Sequence, residues 1–292
     1  MIAADLSASL IGPDAPITGI APLDGAALGD LTFVTDVAKY SEALARALAS
    51  GAIVLAPIDA PETPTAGSTI AVDNPRAAFA QSLTRHFARR PEPGVSPTAR
   101  VHPEADVHPS AHIGEYTVVR AGARIGASAE IRDHVVVGHD VVIGDRTLVK
   151  SHAVIGEEGF GMEKDAAGDN IRIPHVGSVV IGDDAEIGNF TTVCSGTIVP
   201  TRIGDHTKVD DHVHVAHNCQ IGRNVIVTAC AEISGSVTVE DNAWIGPNAS
   251  IIQGVTLGSN SLLGIGAVAL KSVPADEVRV GNPAKKIGTN AP

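Results

Sequence analysis

Aromatic residues are scarce in this sequence of 292 residues, which contains one Trp, two Tyr and five Phe although it is 44% hydrophobic. Large rings usually dominate the core of a globular protein, so this chain must build its interior from smaller side chains. Val, Ile and Ala supply most of the apolar residues, beside 30 Gly. Such a core needs many similar contacts, which favours a repetitive fold.

Positive charge and cysteine are also in short supply. The chain has 21 Lys and Arg against 33 Asp and Glu, a net charge of -12, so it disfavours nucleic acid and anionic lipid as partners. Cys194, Cys219 and Cys230 are odd in number and form no CxxC pair, which argues for a reducing compartment. We find no basic, apolar leader and no uninterrupted apolar stretch of about 18 residues, and we expect a cytoplasmic protein without membrane insertion.

Aliphatic residues recur every six positions from Val95 to Ile155, again from Ile181 to Val199, and, shifted by four residues, from Ile203 to Leu263. An amphipathic helix would show a period of 3.6 and a half-buried strand a period of two. Three six-residue sides close a triangular coil of about 18 residues. We therefore predict a mainly β protein, a left-handed parallel β-helix of roughly nine coils that assembles as a homotrimer.

Glycine often follows the aliphatic residue, as in Ile113-Gly114 and Ile125-Gly126. We expect glycine there because the turn requires backbone torsions that a Cβ disfavours. We therefore attribute the glycines to the backbone conformation of the corners.

Residues 1–94 lack the period and predict a small α/β domain, with helices over Ser41–Ala49 and Pro75–Arg89 and a strand over Ala52–Ala56. The β-helix should span residues 95–273. A polar, glycine-rich interruption at 156–178 predicts a loop extruded from one corner, and long loops in compact domains are often functional. The shift between Val199 and Ile203 predicts a smaller bulge, and residues 274–292 should cap the open end of the helix.

Histidine is the side chain best suited to act as a base near neutral pH, and four histidines crowd between residues 206 and 217. His217 follows Val215 by two residues, where the strand turns outward toward a groove between subunits. Gly235 lies eighteen residues further on, one coil away, or roughly 5 Å. An imidazole beside an unobstructed backbone N–H suits a general base and an oxyanion donor, whereas we interpret His212 and His214 as corner residues.

The spacing His212-x4-His217 also resembles the two-His zinc element of the γ-class carbonic anhydrases, and His134-x4-His139 repeats it. A zinc ion between subunits would need a third histidine about two coils earlier, where the loop residue His175 is available. We expect no metal and keep a zinc-dependent hydratase as an alternative.

Several segments occur in the order typical of one family: LGDLTFVTDVAKY, NPRAAFAQ, HPSAHIG, IGEEGFG, IPHVGSVVIGDDAEIGNFTTV and HVAHNCQIG. Over nearly its whole length the chain resembles the UDP-3-O-(3-hydroxyacyl)glucosamine N-acyltransferases of lipid A biosynthesis. The resemblance implies transfer of a 3-hydroxyacyl group from a thioester carrier to the amine of a UDP-linked amino sugar.

Site residues follow from the same resemblance. It implies that His217 is the general base, that Gly235 is the oxyanion donor, and that Asp210, which matches an Asp of the family, orients the base. In the N-terminal domain it places Phe33 and Tyr40 on the uracil. It also places the loop residues beside the acceptor pocket; these are Gly159, Phe160 and Gly161.

The C-terminal coils depart from that family, because they read Gln253-Gly254 in place of a Gly-His pair and lack the helix that engages acyl carrier protein. They resemble the ending of hexapeptide sugar acetyltransferases that use acetyl-CoA. That likeness implies donor contacts, through backbone amides and a small surface on pantetheine and through lysines near the nucleotide phosphates, at Gly264, Gly266, Ala267, Lys271 and Lys285.

The donor is therefore either acyl carrier protein bearing a thioester or acyl-CoA, a co-substrate rather than a permanently bound cofactor. An acetyl-CoA-dependent N- or O-acetyltransferase acting on a nucleotide sugar of surface polysaccharide is the first alternative. A scaffold that only trimerises is another.

Overall fold

The computed structural model describes residues 1–60 and 66–290. The chain forms two compact units, Met1–Arg90 and Pro91–Pro292, divided four residues before the predicted boundary at 94. As predicted, it is mainly β, a left-handed parallel β-helix with a small N-terminal α/β unit. Residues 291 and 292 of the predicted cap lie outside the described residues.

The N-terminal unit contains a five-stranded sheet flanked by helices. In spatial order its strands are Ser9–Ile11, Ser68–Val72, Ile53–Pro57, Asp30–Phe33 and Gly19–Ile20, the first antiparallel and the others parallel. The helices are Ile2–Asp5, the 3₁₀ turn Leu23–Gly25, Ser41–Ala49 and Pro75–His86.

Both longer helices of this unit occur where the sequence predicts them. The Ser41–Ala49 helix matches its predicted bounds and buries Leu44 and Leu48. The second begins at Pro75, since the Asn74 side chain accepts the Ala77 N–H at 3.0 Å, and it ends at His86 rather than Arg89. The strand predicted over Ala52–Ala56 is displaced by one residue, to Ile53–Pro57.

Three parallel sheets form the faces of the β-helix. The nine-stranded sheet comprises Arg100–Val101, Val118–Val119, Val136–Val137, Val154–Ile155, Thr192–Val193, His214–Val215, Glu232–Ile233, Ser250–Ile251 and Val268–Ala269. The eight-stranded sheet comprises Asp106–Val107, Arg124–Ile125, Val142–Ile143, Val179–Ile181, Thr201–Ile203, Gln220–Ile221, Thr238–Val239 and Thr256–Leu257. The eleven-stranded sheet comprises Gly94–Val95, His112–Ile113, Glu130–Ile131, Leu148–Val149, Glu186–Ile187, Lys208–Val209, Ile226–Val227, Trp244–Ile245, Leu262–Leu263, Glu277–Val280 and, antiparallel at its edge, Lys285–Thr289.

The nine-stranded sheet has one strand in each coil, in agreement with the roughly nine coils predicted. Residues at the six-residue period, such as Ile131, Ile155 and Ile233, are fully buried and stack into the core. The repeat therefore determines both the path of the chain and its interior.

The reason predicted for the corner glycines was wrong. Gly114 and Gly126 have no positive φ; the left-handed residues are non-glycine corner residues such as Tyr116 and Ser128, with φ of 56° each. A Cβ on Gly126 would instead lie 2.7 Å from the backbone nitrogen of Asp145, one coil away. Close approach of the next coil, not backbone torsion, excludes a side chain there.

Both interruptions of the period occur at corners. The 156–178 loop contains an antiparallel hairpin, Met162–Lys164 with Asn170–Arg172. The four-residue slip lengthens one coil, because Thr192 pairs with His214, 22 residues on, whereas Val118 pairs with Val136, 18 residues on. The longer coil is the one that leads to His217.

The C-terminal tail pairs with the last coil. Glu277–Val280 lies parallel to Leu262–Leu263, and the carbonyl of Gly281 accepts the Val268 N–H at 3.0 Å. The Ala284 N–H donates to the Val268 carbonyl at 2.9 Å. Among the described residues, none of the helices combines the length and apolarity that a bilayer crossing requires.

Candidate functional site

His217 lies at the corner between the strands His214–Val215 and Gln220–Ile221. The strand pairing stacks the corresponding corner residue of each coil into one line along the helix axis, because Thr192, His214, Glu232, Ser250 and Val268 are successive partners. We call this line the site column; it comprises Ser195, His217, Gly235, Gln253 and Lys271.

The ring of His217 lies directly against Gly235. A Cβ on Gly235 would stand 2.6 Å from Cε1 of the imidazole and 2.8 Å from Nε2, so the ring occupies the space of the missing side chain. Gly235 has no positive φ. The glycine is therefore needed for the position of the histidine ring, not for the shape of the chain.

The backbone N–H groups of His217 and Gly235 have no acceptor among the described residues. At the equivalent position of some other coils the corner N–H donates to an Asp one coil on, as Glu115 does to Asp133 at 2.7 Å and Arg223 to Asp241 at 2.8 Å, whereas several corners, such as that of His139, have no such bond among the described residues. In the site column the position of that Asp is occupied by Gly235, one coil after His217, and by Gln253, one coil after Gly235. The column thus leaves two amides free to bind an acceptor.

Asn218 orients the His217 ring. Its Oδ1 accepts the Thr197 N–H at 2.7 Å, so its NH₂ group faces the Thr197 hydroxyl at 3.1 Å and His217 Nδ1 at 3.0 Å. Because Nδ1 accepts a hydrogen bond, the neutral ring carries its proton on Nε2. Asn218 was not among the residues predicted from the sequence, although it adjoins His217 and Asn tolerates the left-handed corner, here with φ of 62°.

The pKa of His217 is lowered from its ordinary value, chiefly because burial disfavours the charged ring and secondarily because His175 and His214 would repel a second positive charge. A histidine with a lowered pKa is neutral near pH 7. The ring is therefore in the form that can accept a proton.

The 156–178 loop returns to the site column. A Cβ on Gly159 would lie 3.0 Å from His217 Cδ2, and Arg172 Nη1 donates to the Gly159 carbonyl at 3.1 Å. The Phe160 side chain is 78% exposed, so the backbone of the loop, rather than this ring, contacts the histidine. The structure brings Gly159 to His217, and the acceptor contacts of the loop stay a prediction.

His175 also contacts His217. The two ring centroids are 4.8 Å apart, and Nε2 of His175 would lie 3.1 Å from a Cβ on Gly159. From the sequence His175 was considered only as a zinc ligand. A residue inside a long loop lies outside the repeat, so the period does not predict its neighbours.

No hydrogen bond joins Asp210 to His217 among the described residues, and the orienting role of Asp210 stays a prediction. Asp210 and His212 occupy the corner at the other end of the strand His214–Val215. The carbonyl of Asp210 accepts the Thr191 hydroxyl at 2.7 Å, and Asn218, not Asp210, bonds the base.

The geometry likewise separates the two histidines of the proposed zinc element. His212 stacks on Phe190, with centroids 5.1 Å apart, at the other corner from His217. Within residues 1–60 and 66–290 there is no cluster of three His, Cys, Asp or Glu side chains suited to a metal. His212 and His217 therefore lie at opposite ends of one strand, and their spacing does not bring two metal ligands together.

In the N-terminal unit, Phe33 and Tyr40 line one cavity of about 580 Å³. Phe79 lines the same cavity, and its ring centroid is 4.9 Å from that of Phe33. Lys39 Nζ lies 5.1 Å from the Tyr40 ring. The two residues predicted from the sequence thus line one cavity, and Phe79 of the NPRAAFAQ segment lines it as well.

The residues predicted to bind the donor lie in different places. The amides of Gly264, Gly266 and Ala267 all donate within the chain, to Arg279, Pro247 and Gly264 at 2.8, 2.8 and 3.2 Å, so these N–H groups are not free for a ligand, and donor binding by these residues stays a prediction. These residues also occupy a corner other than that of His217. Lys271 lies in the site column and is exposed, and Lys285 is exposed in the last strand.

Comparison with known proteins places this chain in a family. The family model for UDP-3-O-(3-hydroxymyristoyl) glucosamine N-acyltransferase, LpxD, matches residues 14–85, and the model for bacterial transferase hexapeptide repeats matches residues 123–157 and 200–235. Among solved structures, LpxA from Acinetobacter baumannii aligns with a TM-score of 0.61 at 28% identity, over 67% of this chain and 74% of that one. The UDP-N-acetylglucosamine acyltransferase of Francisella novicida aligns with a TM-score of 0.62 at 26% identity, over 68% and 71%.

Two curated relatives match most of the chain. A UDP-3-O-acylglucosamine N-acyltransferase of Coxiella burnetii is 37% identical over 76% of this chain and 70% of its own. The enzyme of that name from Methylorubrum populi is 38% identical over 95% of this chain and 85% of its own. This protein therefore belongs to the UDP-3-O-acylglucosamine N-acyltransferase family, acyltransferases of lipid A biosynthesis.

Proposed function

We propose that this acyltransferase moves a 3-hydroxyacyl group from the thioester of a carrier to the amine of a UDP-linked 3-O-acylglucosamine, with His217 as general base. The observation that carries the proposal is the His217 ring seated on Gly235, beside two backbone N–H groups without an acceptor. The acceptor is the one named in its relatives.

In the reaction the amine nitrogen attacks the thioester carbonyl carbon while the neutral His217 ring accepts a proton from that nitrogen. The N–H of Gly235 donates to the oxyanion of the tetrahedral intermediate. The C–S bond then breaks, the amide forms, and the imidazolium returns its proton to the departing thiolate. No further reactant is needed, because the proton taken from the amine is returned to the leaving thiolate.

Proton transfer through Nε2 requires the neutral tautomer that carries its proton on Nδ1. In the arrangement observed, the Asn218 NH₂ group occupies Nδ1 at 3.0 Å. The active tautomer therefore needs Asn218 to turn its carbonyl oxygen toward the ring, exchanging the Thr197 N–H for the Nδ1–H. Asn218 thus becomes part of the proposed proton transfer.

Binding of the two substrates follows from the same surfaces. The aromatic cavity of Phe33, Tyr40 and Phe79 supports binding of uracil by stacking. Lys271, three coils along the site column from His217, or roughly 14 Å, supports contact with a donor phosphate. The donor is acyl carrier protein or acyl-CoA, neither held permanently.

We also propose that the chain works as a homotrimer in the cytoplasm, with the site column facing a groove between subunits. His217 and Gly235 lie at an outer corner of the helix, where a second subunit would enclose the substrates. Cys194, Cys219 and Cys230 are all free, which is consistent with a reducing compartment.

The test is the His217→Ala variant, with His139→Ala as the matched control. His139 is an exposed histidine of the same corner, three coils before His217, with no comparable glycine contact. We expect His217→Ala to lose about 10²- to 10⁴-fold in turnover and to keep acceptor binding, while His139→Ala retains activity. Substantial activity in His217→Ala refutes the assignment.

The same assay separates the donors. Turnover is measured with 3-hydroxyacyl carrier protein, 3-hydroxyacyl-CoA and acetyl-CoA, each against the UDP-linked 3-O-acylglucosamine. Turnover with acetyl-CoA alone would support the acetyltransferase alternative. The C-terminal end of the β-helix, which resembles that of acetyltransferases in sequence, ends in the strand pair Glu277–Val280 and Lys285–Thr289.

A further inference from the structure

The 156–178 loop packs its main chain against the His217 ring. Gly159 is buried, and a Cβ on it would lie 3.0 Å from both Cβ and Cδ2 of His217. Gly235 contacts the same ring one coil on, where a Cβ would lie 2.6 Å from Cε1. The imidazole therefore contacts two glycines, one from the loop near Cδ2 and one from the β-helix near Cε1.

The two glycines differ in what holds them in place. Gly235 belongs to a regular coil, and its carbonyl accepts the Gly254 N–H at 3.0 Å. Gly159 belongs to no strand, and the hydrogen bonds of the described residues give its main chain one partner, Arg172, whose Nη1 donates to the Gly159 carbonyl at 3.1 Å. The one hydrogen bond that holds the loop glycine thus comes from a side chain.

A hairpin brings the Arg172 side chain within reach of Gly159. Arg172 is the last residue of the strand Asn170–Arg172 and pairs with Met162, three residues after Gly159. Its guanidinium also lies 3.5 Å from Oε2 of Glu158, in an ion pair of two half-exposed side chains. Because such pairs contribute little in water, the bond to the partly buried Gly159 carbonyl is the stronger constraint on the loop.

The bond bears on the reaction because Gly159 contacts the base. A general base accepts a proton only at hydrogen-bond distance and in a suitable orientation, so a small displacement of its ring lowers the rate. We propose that Arg172 is a positioning residue of the transfer, which holds Gly159 against His217 and so fixes the ring for proton transfer from the amine. This assignment rests on the proposed function.

The experiment measures kcat and the acceptor KM in Arg172→Met and Arg172→Lys, beside thermal unfolding. Methionine removes the donor, whereas lysine restores one. The matched control is Lys164→Met, because Lys164 is an exposed cation in the facing strand of the same hairpin. We expect Arg172→Met to lose about tenfold in kcat with KM little changed, Arg172→Lys to recover part of the loss, and Lys164→Met to keep the parent values.

The pH dependence of kcat/KM gives a readout that a loss of stability alone would not produce. Burial is the main cause of the lowered pKa of His217. When the loop glycine moves away, the ring becomes more exposed, its pKa rises toward the ordinary value, and more of the base is protonated at a given pH. The acidic limb of Arg172→Met should therefore lie at higher pH than that of the parent, whereas the limb of Lys164→Met should not move.

Three results would overturn the proposal. The first is a parent-like kcat and acidic limb in Arg172→Met, and the second is an equal loss in Lys164→Met. The third is a rise in KM at constant kcat, which would make Arg172 a residue that binds substrate. If Arg172→Met does not fold, Arg172→Gln replaces it with the same expected losses, because the shorter side chain keeps the position polar but does not reach the Gly159 carbonyl.

Failure of the proposed function is distinguishable from failure of this assignment. An NMR titration of ¹³C-labelled histidine, with His217→Ala to assign the signal, follows the protonation of His217 without substrate. If the parent does not acylate the UDP-linked amino sugar, the proposed reaction is wrong, yet a higher His217 midpoint in Arg172→Met still shows that Arg172 holds the loop on the ring. If the parent acylates the amine and the midpoint is the same in both proteins, the reaction is right and the assignment of Arg172 is wrong.

Discussion

Histidines at two of the three corners of the β-helix differ in the residues stacked on them. At one corner five rings form a continuous stack, with centroids 4.7 to 5.1 Å apart and nearly parallel planes. We call this stack the ring ladder; it comprises Tyr116, His134, His152, Phe190 and His212. At the other corner the site column places a single ring, His217, on Gly235.

The contrast is that the rings of the ladder stack on other rings, whereas the His217 ring rests on a residue without a side chain. Each histidine inside the ladder is covered on both faces, so its ring contributes to packing. One coil on from His217 is a glycine, and the N–H groups of His217 and Gly235 meet no Asp one coil on, unlike those of Glu115 and Arg223. The site is where the regular column is interrupted.

Replacing the interrupting residue should have the largest effect. In Gly235→Ala the Cβ would stand 2.6 Å from His217 Cε1, so the ring must leave its position, and we expect turnover to fall about 100-fold with little change in stability. The measurement is kcat beside thermal unfolding.

Gly126→Ala is the matched control, because there the Cβ meets backbone of the next coil, 2.7 Å from the Asp145 nitrogen. Backbone cannot rotate away as a ring can, so this variant should lose about 1–3 kcal/mol of unfolding free energy and keep its kcat while folded. Equal activity loss in both variants would contradict the distinction between the two corners.

The periodic part of this site could be predicted from the sequence. A spacing of eighteen residues places Gly235 over His217 because every regular coil has the same length. Asn218 was missed because its role depends on Thr197, in the coil lengthened by the four-residue slip. The contact of His175 with His217 could not be predicted because His175 lies in a loop outside the repeat, and the role that the family resemblance gives Asp210 stays a prediction.

The pH dependence of kcat/KM tests the environment of His217. A general base is active above its pKa, so a lowered pKa extends activity to lower pH than an ordinary imidazole with pKa about 6.5 would allow. We expect the acidic limb of the kcat/KM profile to have its midpoint below pH 6.5. A limb above it would show that burial and His175 do not control the base.

Asn218→Asp should move the same limb in the opposite direction. The Asn218 NH₂ group favours an unprotonated Nδ1, whereas a carboxylate accepts the Nδ1–H and stabilises the imidazolium, raising the pKa of His217. The acidic limb should therefore appear at higher pH than in the parent, because more of the base is protonated at a given pH. An unchanged limb would show that Asn218 does not control the tautomer.

The smallest expected effect is at the ring ladder. His152 stacks between His134 at 4.8 Å and Phe190 at 4.7 Å, so His152→Ala removes two ring pairs and should lower the unfolding free energy by about 1–3 kcal/mol without changing kcat. His152→Phe keeps both pairs and should retain stability. Thermal unfolding of the two variants at one pH, beside their turnover, measures both quantities. A loss of turnover in His152→Ala at full stability would place the ladder in the site and remove the contrast between the corners.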